Sequence, residues 1–323
     1  MTVLLTGAAG FIGMHVAELL LSRGDEVVGI DDLNAYYDVG LKRARLARLE
    51  SRRGFRFLAA DVANREAMLA LAGLEPGTTR IVHLAAQPGV RHSLVDPYAY
   101  VQANVMGHLV VLELARRLPR LEHLVYASSS SVYGGNRELP FAETDRVDHP
   151  VSLYAATKRS GELISESYAH LFGLPQTGLR FFTVYGPWGR PDMAPWMFAD
   201  AILAGRAITL YDAGRLKRDF TFVEDIAAGV VGCLDHPAPA STPRLLNIGN
   251  HRSVEVRRFV TVLEAALGRP AIVVDAPRPA TDVPETFADI DAIRTICGYE
   301  PRTPIEVGIP RFAEWFLSWR KGG

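Results

Sequence analysis

The sequence predicts an α/β fold: a doubly wound parallel sheet with a smaller C-terminal cap domain that binds substrate. Three observations predict it. The first two-thirds of the chain alternates short β-rich runs with helix-period segments, the pattern of βαβ units with right-handed crossovers. A glycine-rich turn at residues 6–13 joins the first strand to the first helix. Beyond about residue 186 the rhythm changes, with Pro and Gly clustered at 186–191, 236–243 and 277–284.

Each element follows from local pattern. Residues 2–5, 26–30, 55–59, 80–84, 124–127 and 176–182 are β-rich runs and read as strands. The amphipathic stretches between them, 12–23, 37–53, 65–71, 98–118 and 153–172, read as helices. Gly24 stands where the first helix needs a C-terminal glycine. The basic stretch 41–53 reads as a solvated helix face. Glu224 and Asp225 read as a helix start, where acidic residues meet the positive dipole end. Residues 244–249 are a candidate strand returning to the main sheet. The expected domains are 1–185, with later returns near 220–250, and 186–323, interleaved with the first.

With 323 residues, 48% hydrophobic and 22% charged, the chain suits one large α/β domain or two modest ones. Its net charge of −1 lacks the basic excess of a nucleic-acid or anionic-membrane binder. Of 35 basic residues only Lys42, Lys158, Lys217 and Lys321 are lysines, so each lysine in so arginine-rich a chain is a candidate for a specific role. Cys233 and Cys297 are too few for a disulfide framework or a four-ligand zinc site and read as small buried hydrophobes. No ligand cluster surrounds His83 or His92, so no metal is expected. Residues 1–7 show no basic leader or cleavage site, and no apolar run reaches the roughly 18 residues of a membrane span. The expected compartment is the cytoplasm.

The turn at 6–13 points to a dinucleotide. Gly7 permits a tight turn, Gly10 lets backbone approach a diphosphate, and Gly13 allows close helix–sheet packing, with Phe11 and Ile12 opening the helix against the diphosphate. Asp31 and Asp32, with Asn34 nearby, follow the second strand, where a carboxylate accepts hydrogen bonds from a ribose and repels a 2′-phosphate. Arg43 and Arg45 lie too far along to clamp such a phosphate, so NAD is favoured over NADP. A simple turn or helix cap is the competing reading of the two aspartates. Asp61 and Val62 suit the adenine, or a helix cap. Leu84, Ala85, Ala86 and Gln87 offer the cofactor a small-residue floor.

Tyr154 and Lys158 fall four residues apart in a predicted helix, which puts phenol and ammonium on one face. A nearby ammonium favours the phenolate, so Tyr154 could exchange a proton with a sugar hydroxyl. An amphipathic surface pair is the bland alternative. The serine run Ser128-Ser129-Ser130-Ser131 at the end of the fifth strand weighs against it.

These motifs resemble the extended short-chain dehydrogenase/reductases, with their Rossmann sheet. Within that superfamily the chain resembles bacterial UDP-glucuronate 4-epimerases, members of the NAD-dependent epimerase/dehydratase family. The match rests on Tyr126-Ala127-Ser128-Ser129-Ser130-Ser131-Val132-Tyr133-Gly134, on residues 150–154, on the block 179–193 and on Arg218-Asp219-Phe220-Thr221. The resemblance implies that Tyr154 is the base, that Lys158 holds the nicotinamide ribose, and that Ser129 is the hydroxyl partner of Tyr154 at the sugar. It implies that Ser130, Ser131 and Thr183 line the sugar carboxylate, that Arg190 lies nearby, and that Arg218 meets the nucleotide diphosphate. Arginine suits such anions through its bidentate fork. Arg91 is read as approaching the carboxylate or as a surface-loop residue, and Arg278 and Asp282 are weaker uridine-side candidates. Trp188 and Trp196 either wall the cap pocket or fill its core.

The activity so implied is 4-epimerisation of UDP-glucuronic acid to UDP-galacturonic acid through a 4-keto sugar, with NAD tightly retained. Extended members commonly dimerise, which implies a homodimer through helices 98–118 and 153–172. The alternatives share the cofactor residues. Related 4,6-dehydratases carry an Asp-Glu pair after the catalytic Thr, and UDP-glucuronate decarboxylases often carry Glu where Ser131 stands. UDP-glucose 4-epimerases typically have Asn where this chain has Thr183. A non-catalytic NAD-sensing regulator would be expected to have lost Tyr154 or Lys158.

Overall fold

The computed structural model describes residues 1–278 and 283–322. In chain order the first half runs β1 (Thr2–Thr6), α1 (Phe11–Ser22), β2 (Glu26–Asp31), α2 (Val39–Glu50), β3 (Phe55–Ala59), α3 (Arg65–Leu74), β4 (Arg80–His83), α4 (Pro97–Tyr100), a π-helical stretch (Val101–Met106), α5 (Gly107–Ala115), β5 (His123–Ser129), α6 (Leu153–Phe172) and β6 (Gln176–Phe181). The second half runs β7 (Thr183–Tyr185), α7 (Ala194–Ala204), β8 (Ala207–Tyr211), β9 (Lys217–Phe222), α8 (Val223–Asp235), β10 (Arg244–Ile248), β11 (Ser253–Glu255), α9 (Val256–Leu267), β12 (Ile272–Ala276), α10 (Asp291–Cys297) and α11 (Ile305–Gly322).

The expected parallel α/β sheet is present. Seven strands lie in the order β10-β6-β5-β4-β1-β2-β3, each pairing parallel with its neighbours. The chain winds outward from β1 to β3, then returns and winds the other way from β4. The reversal falls between β1 and β4, and a crevice opens there at the carboxyl ends of the strands. Central strands buried on both faces read as nearly unbroken apolar runs, as Val3-Leu4-Leu5 and Ile81-Val82 do. Apolar cores fill both faces, one around Met14, Leu20 and Val230 and one around Val110, Leu112 and Leu114. A third core, around Phe220, Phe259 and Phe312, belongs to the later residues and their smaller sheets, β11-β9-β7 and β12-β8.

Several elements differ from expectation for identifiable reasons. The strand read as 176–182 ends at Phe181, because the Phe182 N–H turns to the Ile248 carbonyl before β7 pairs with β9 in a second sheet. The helix read as 37–53 begins at Val39, where Asp38 caps it by accepting from the Gly40 N–H at 2.8 Å. Its basic face is not wholly solvated: Lys42 and Arg45 are buried, Arg45 completely. The helix read as 98–118 is interrupted by the π-helical stretch, which carries Asn104. Gly24 ends α1 at φ +89°, with its N–H on the Leu21 carbonyl. Glu224 and Asp225 do open α8. Cys233 is buried and Cys297 half-buried, their sulfurs 3.9 Å apart and unbonded.

Candidate active site

The crevice has a volume of about 530 Å³ and runs from the glycine turn to the cap. At its nucleotide end the glycines are sterically obligatory. Gly7 sits at φ +76°, and a Cβ there would stand 2.8 Å from the Ala85 nitrogen. A Cβ on Gly13 would lie 2.0 Å from the Gly7 carbonyl oxygen, so α1 packs against the turn only without a side chain at that position. Gly10 is the N-cap of α1 and offers no side-chain cap, which leaves the first N–H groups of the helix to an anion. Asp31 closes β2. Its carboxylate accepts from the Ala9 N–H at 3.1 Å and the Leu33 N–H at 2.9 Å, and burial raises its pKa. It therefore braces the glycine turn and faces the crevice together. Asp32 and Asn34 also line the crevice, with Asp32 accepting from the Asn34 N–H at 3.0 Å.

Phe11, Ile12, Asp61, Val62, Leu84, Ala85 and Ala86 line the same end. Asp61 accepts from the Ala63 N–H, while the cap of α3 is Asn64. Gln87, between the lining residues Ala86 and Pro88, is buried, its N–H and C=O both held by the Asn104 side chain at 2.8 and 3.1 Å. That amide, placed by the π-helical stretch, pins the floor of the crevice from behind. The set fits a dinucleotide: an uncapped helix start, glycines that let a diphosphate approach, and a carboxylate at the second strand's end.

The other end is built on α6. Ser152 caps this helix by accepting from the Ala155 N–H at 3.1 Å. Tyr154, Lys158 and Glu162 then follow at four-residue spacing. The first two line the crevice. Glu162 is buried beneath it, accepting from Ser128 Oγ at 2.6 Å and from the buried Arg180 guanidinium at 2.9 and 3.0 Å. This ion pair anchors the end of β5, where Ser129, Ser130 and Ser131 face the crevice. Ser129 Oγ accepts from the Ser131 N–H at 3.2 Å and from Ser131 Oγ at 3.0 Å.

Burial raises the Tyr154 pKa, opposed by the Ser129 hydroxyl and the charge of Arg190. Burial also brings the Lys158 ammonium down to about 8. Its Nζ donates to the Ala127 carbonyl at 3.0 Å. Lys158 thus shares its helix face with Tyr154 and takes a backbone partner on β5, while the positive charge of Arg190 works against burial at the phenol.

Thr183, Arg190, Arg218 and Arg91 join the lining. Arg190 is ion-paired: its Nε and Nη2 are both 2.9 Å from Asp192, which takes one of its two carboxylate-matching edges. Arg218 Nη1 donates to the Lys217 carbonyl at 2.8 Å. Arg91 lies 5.6 Å over the Tyr211 ring. Arg278 follows β12, which pairs with β8 in a two-stranded sheet, and is exposed. Asp282 lies outside the described residues. Trp188 lines no part of the crevice; it packs with Trp315 and Trp319, and Trp196 packs with Trp315 and Phe316.

Sequence reasoning missed Tyr36, Lys42, Met193 and Thr286 in the lining. Lys42 is one of the four lysines that stand out by rarity, and its Nζ donates to Asn34 Oδ1 at 2.9 Å beside the two aspartates. Tyr36 carries no such signal. Among the described residues no cluster of His, Cys, Asp or Glu could hold a metal ion.

Comparison with known proteins gives a consistent result. Residues 3–249 match the model of the NAD dependent epimerase/dehydratase family. A probable UDP-glucuronate 4-epimerase of Rhizobium meliloti (strain 1021) is 46% identical, over 98% of this chain and 97% of its own length. UDP-glucuronate 4-epimerase 3 of Arabidopsis thaliana is 44% identical, over 100% of this chain and 78% of its own. Among solved structures, UDP-glucuronic acid 4-epimerase from Bacillus cereus, in complex with UDP-glucuronic acid and NAD, is similar with a TM-score of 0.91. It is 32% identical, covering 99% of this chain and 100% of that one.

Proposed function

The chain belongs to the NAD-dependent epimerase/dehydratase family, and from that premise we propose that it interconverts UDP-glucuronic acid and UDP-galacturonic acid by inverting carbon 4 through a 4-keto sugar. One observation carries the reading: Tyr154 shares its crevice with a strip of neutral donors, Ser129, Ser130, Ser131 and Thr183, and among the described residues no carboxylate stands in that strip.

NAD, when bound, supplies a reversible two-electron oxidation at carbon 4. The residues that would hold it are Gly7, Gly10, Gly13, Asp31 and Lys158. Tyr154 takes the proton of the 4-hydroxyl and returns it after the sugar turns, so one base serves both directions. Ser129 hydrogen-bonds the same hydroxyl and steadies the phenolate. Arg190 favours that phenolate by its charge, and the Lys158 ammonium orients the ribose. Arg218 holds the nucleotide side while the sugar rotates between it and Tyr154, and Arg91 approaches the carboxylate.

A 4-keto uronate is a β-keto acid, and it loses carbon dioxide when the bond to its carboxylate aligns with the carbonyl π-system. Ser130, Ser131 and Thr183 pin the carboxylate out of that alignment. Thr183→Ala is therefore expected to release some decarboxylated pentose product, read by NMR of the nucleotide-sugar pool. An unchanged product profile would remove this role. Tyr154→Phe is expected to lower turnover by about 10²–10⁴-fold; retention of wild-type turnover would overturn the assignment of the base.

The same reading assigns residues 1–185, with the returns near 220–250, to the cofactor, and 186–323 mainly to the sugar nucleotide. It makes the protein a homodimer: helices 97–115 and 153–172 leave Tyr98, Val101, Leu163 and Leu171 exposed, an apolar set that a second copy would cover. A charged nucleotide sugar does not cross a bilayer unaided, so the reaction is placed in the cytoplasm. No helix among the described residues is long and apolar enough to span a membrane.

A further inference from the structure

The segment that carries Arg190 is tied down, residue after residue, by elements of the nucleotide half. His15 Nε2 on α1 is 3.0 Å from the Pro187 carbonyl. Arg45 on α2 donates to the carbonyls of Trp188, from Nε at 3.1 Å, and of Gly189 at 3.2 Å, while its Nη1 reaches the Ala9 carbonyl in the glycine turn at 3.1 Å. Trp188 is held at φ +64°, a conformation a non-glycine residue keeps only when its surroundings dictate it. These bonds fix the backbone on one side of Arg190. A further tether acts on its side chain: Tyr36, in the loop that follows Asp31, Asp32 and Asn34, donates from its hydroxyl to Asp192 Oδ2 at 3.1 Å.

The Tyr36 hydroxyl has a built seat. Gly89 stands beneath it at φ +97°, and a Cβ there would lie 2.4 Å from the phenol oxygen. The ring packs against His92 at 4.8 Å. Burial and the neighbouring Asp192 carboxylate both raise the Tyr36 pKa, so the phenol stays a donor. Asp192 in turn takes Nε and Nη2 of Arg190. Among the described residues Nη1 makes no hydrogen bond, and the Arg190 side chain is 22% exposed, on the crevice. A guanidinium so engaged keeps its other edge, the Nη1 hydrogens and the second Nη2 hydrogen, for an incoming carboxylate, in a plane that Asp192 sets.

We propose that Tyr36 is a positioning residue for the sugar carboxylate: through Asp192 it fixes the plane of Arg190, and so ties the ribose loop to the uronate end of the crevice. The proposal rests on the reading above that the substrate is a UDP-uronate. Its signature is selective. Loss of the tether weakens recognition of the carboxylate and leaves recognition of the nucleotide alone.

The test uses full-length protein at saturating NAD. Wild type, Tyr36→Phe, Asp192→Asn and the double variant are compared for kcat and KM with UDP-glucuronic acid, and for the Kd of UDP, which has no carboxylate. Tyr36→Phe removes one oxygen and is expected to raise KM by about 3–10-fold, the worth of one ordinary hydrogen bond, since it acts on the carboxylate only through Asp192 and Arg190. The UDP Kd should change less than about twofold, with thermal unfolding unmoved. Asp192→Asn should raise KM further, and adding Tyr36→Phe to it should change nothing more, because both act through one bond. An unchanged KM in Tyr36→Phe, an equal loss of UDP affinity, or additive effects would each overturn the proposal while leaving the epimerase reading intact. A wild-type protein inactive on UDP-glucuronic acid would instead overturn the functional reading, and this inference with it.

Discussion

In the proposed mechanism Tyr154 acts as its phenolate, yet burial holds its proton on. Two groups oppose that: the hydroxyl of Ser129 and the positive charge of Arg190. Arg190 is itself paired with Asp192, whose negative charge opposes its influence on the phenol. Removing the cation with Arg190→Gln raises the phenol's pKa, since an opposite charge stabilises the ionised form. The base form then requires more alkaline solution. The acid limb of kcat/KM against pH is expected to move upward by about one unit, and a limb that stays in place would show that Arg190 does not act on Tyr154. Spacing alone points to Lys158 as that cation. Spacing shows that two side chains share a helix face; it does not show that the ammonium is drawn to the carbonyl of Ala127 on the neighbouring strand.

At the scale of elements, α1 and α6 carry the two halves of the chemistry, and both are readable because their signals are local. A glycine turn, a cap and a four-residue spacing all lie within a few residues of one another in the chain. Gly13 makes the sharpest element-level prediction. With its Cβ position 2.0 Å from the Gly7 carbonyl oxygen, Gly13→Ala must push α1 away from the turn. The variant is expected to purify without NAD while remaining folded by circular dichroism, and a variant with a full complement of NAD would contradict the role given to the turn. The helix α2 is less legible. Its pattern resembles a solvated basic face, because nothing local distinguishes Arg45 from its neighbours. What buries Arg45 is a set of carbonyls from residues 188 and 189, far along the chain, and the glycine turn behind it. Tyr36 and Asp192 escape notice for the same reason: their bond joins two loops 156 positions apart.

Across the whole molecule, the sheet reverses its winding between β1 and β4, and that topological point places cofactor and sugar residues in one crevice. The parallel, doubly wound sheet and the residues at the carboxyl ends of its strands are legible in the sequence, as are Ser129, Tyr154, Lys158, Thr183 and Arg190; the spatial order of the strands is not, because it is set by pairings between distant segments. The cap is legible only as a change of rhythm. Its irregular sheets depend on pairings such as β12 with β8, after which Arg278 is exposed. Quaternary structure is testable at this scale. If Tyr98 and Leu163 meet a second copy, Tyr98→Glu together with Leu163→Glu buries charge against apolar surface. Light scattering is then expected to show a monomer where the parent is a dimer, and a double variant that still dimerises would move the interface elsewhere.

The central claim is that this crevice inverts carbon 4 of a UDP-uronate with no net oxidation and no loss of carbon. The direct measurement is incubation of the purified protein, without added NAD, with UDP-glucuronic acid, UDP-glucose and UDP-xylose in parallel, followed by product NMR. The account predicts UDP-galacturonic acid from the first, at equilibrium with its substrate and free of pentose. Conversion of the neutral sugars alone, or a pentose as the main product from UDP-glucuronic acid, would contradict it.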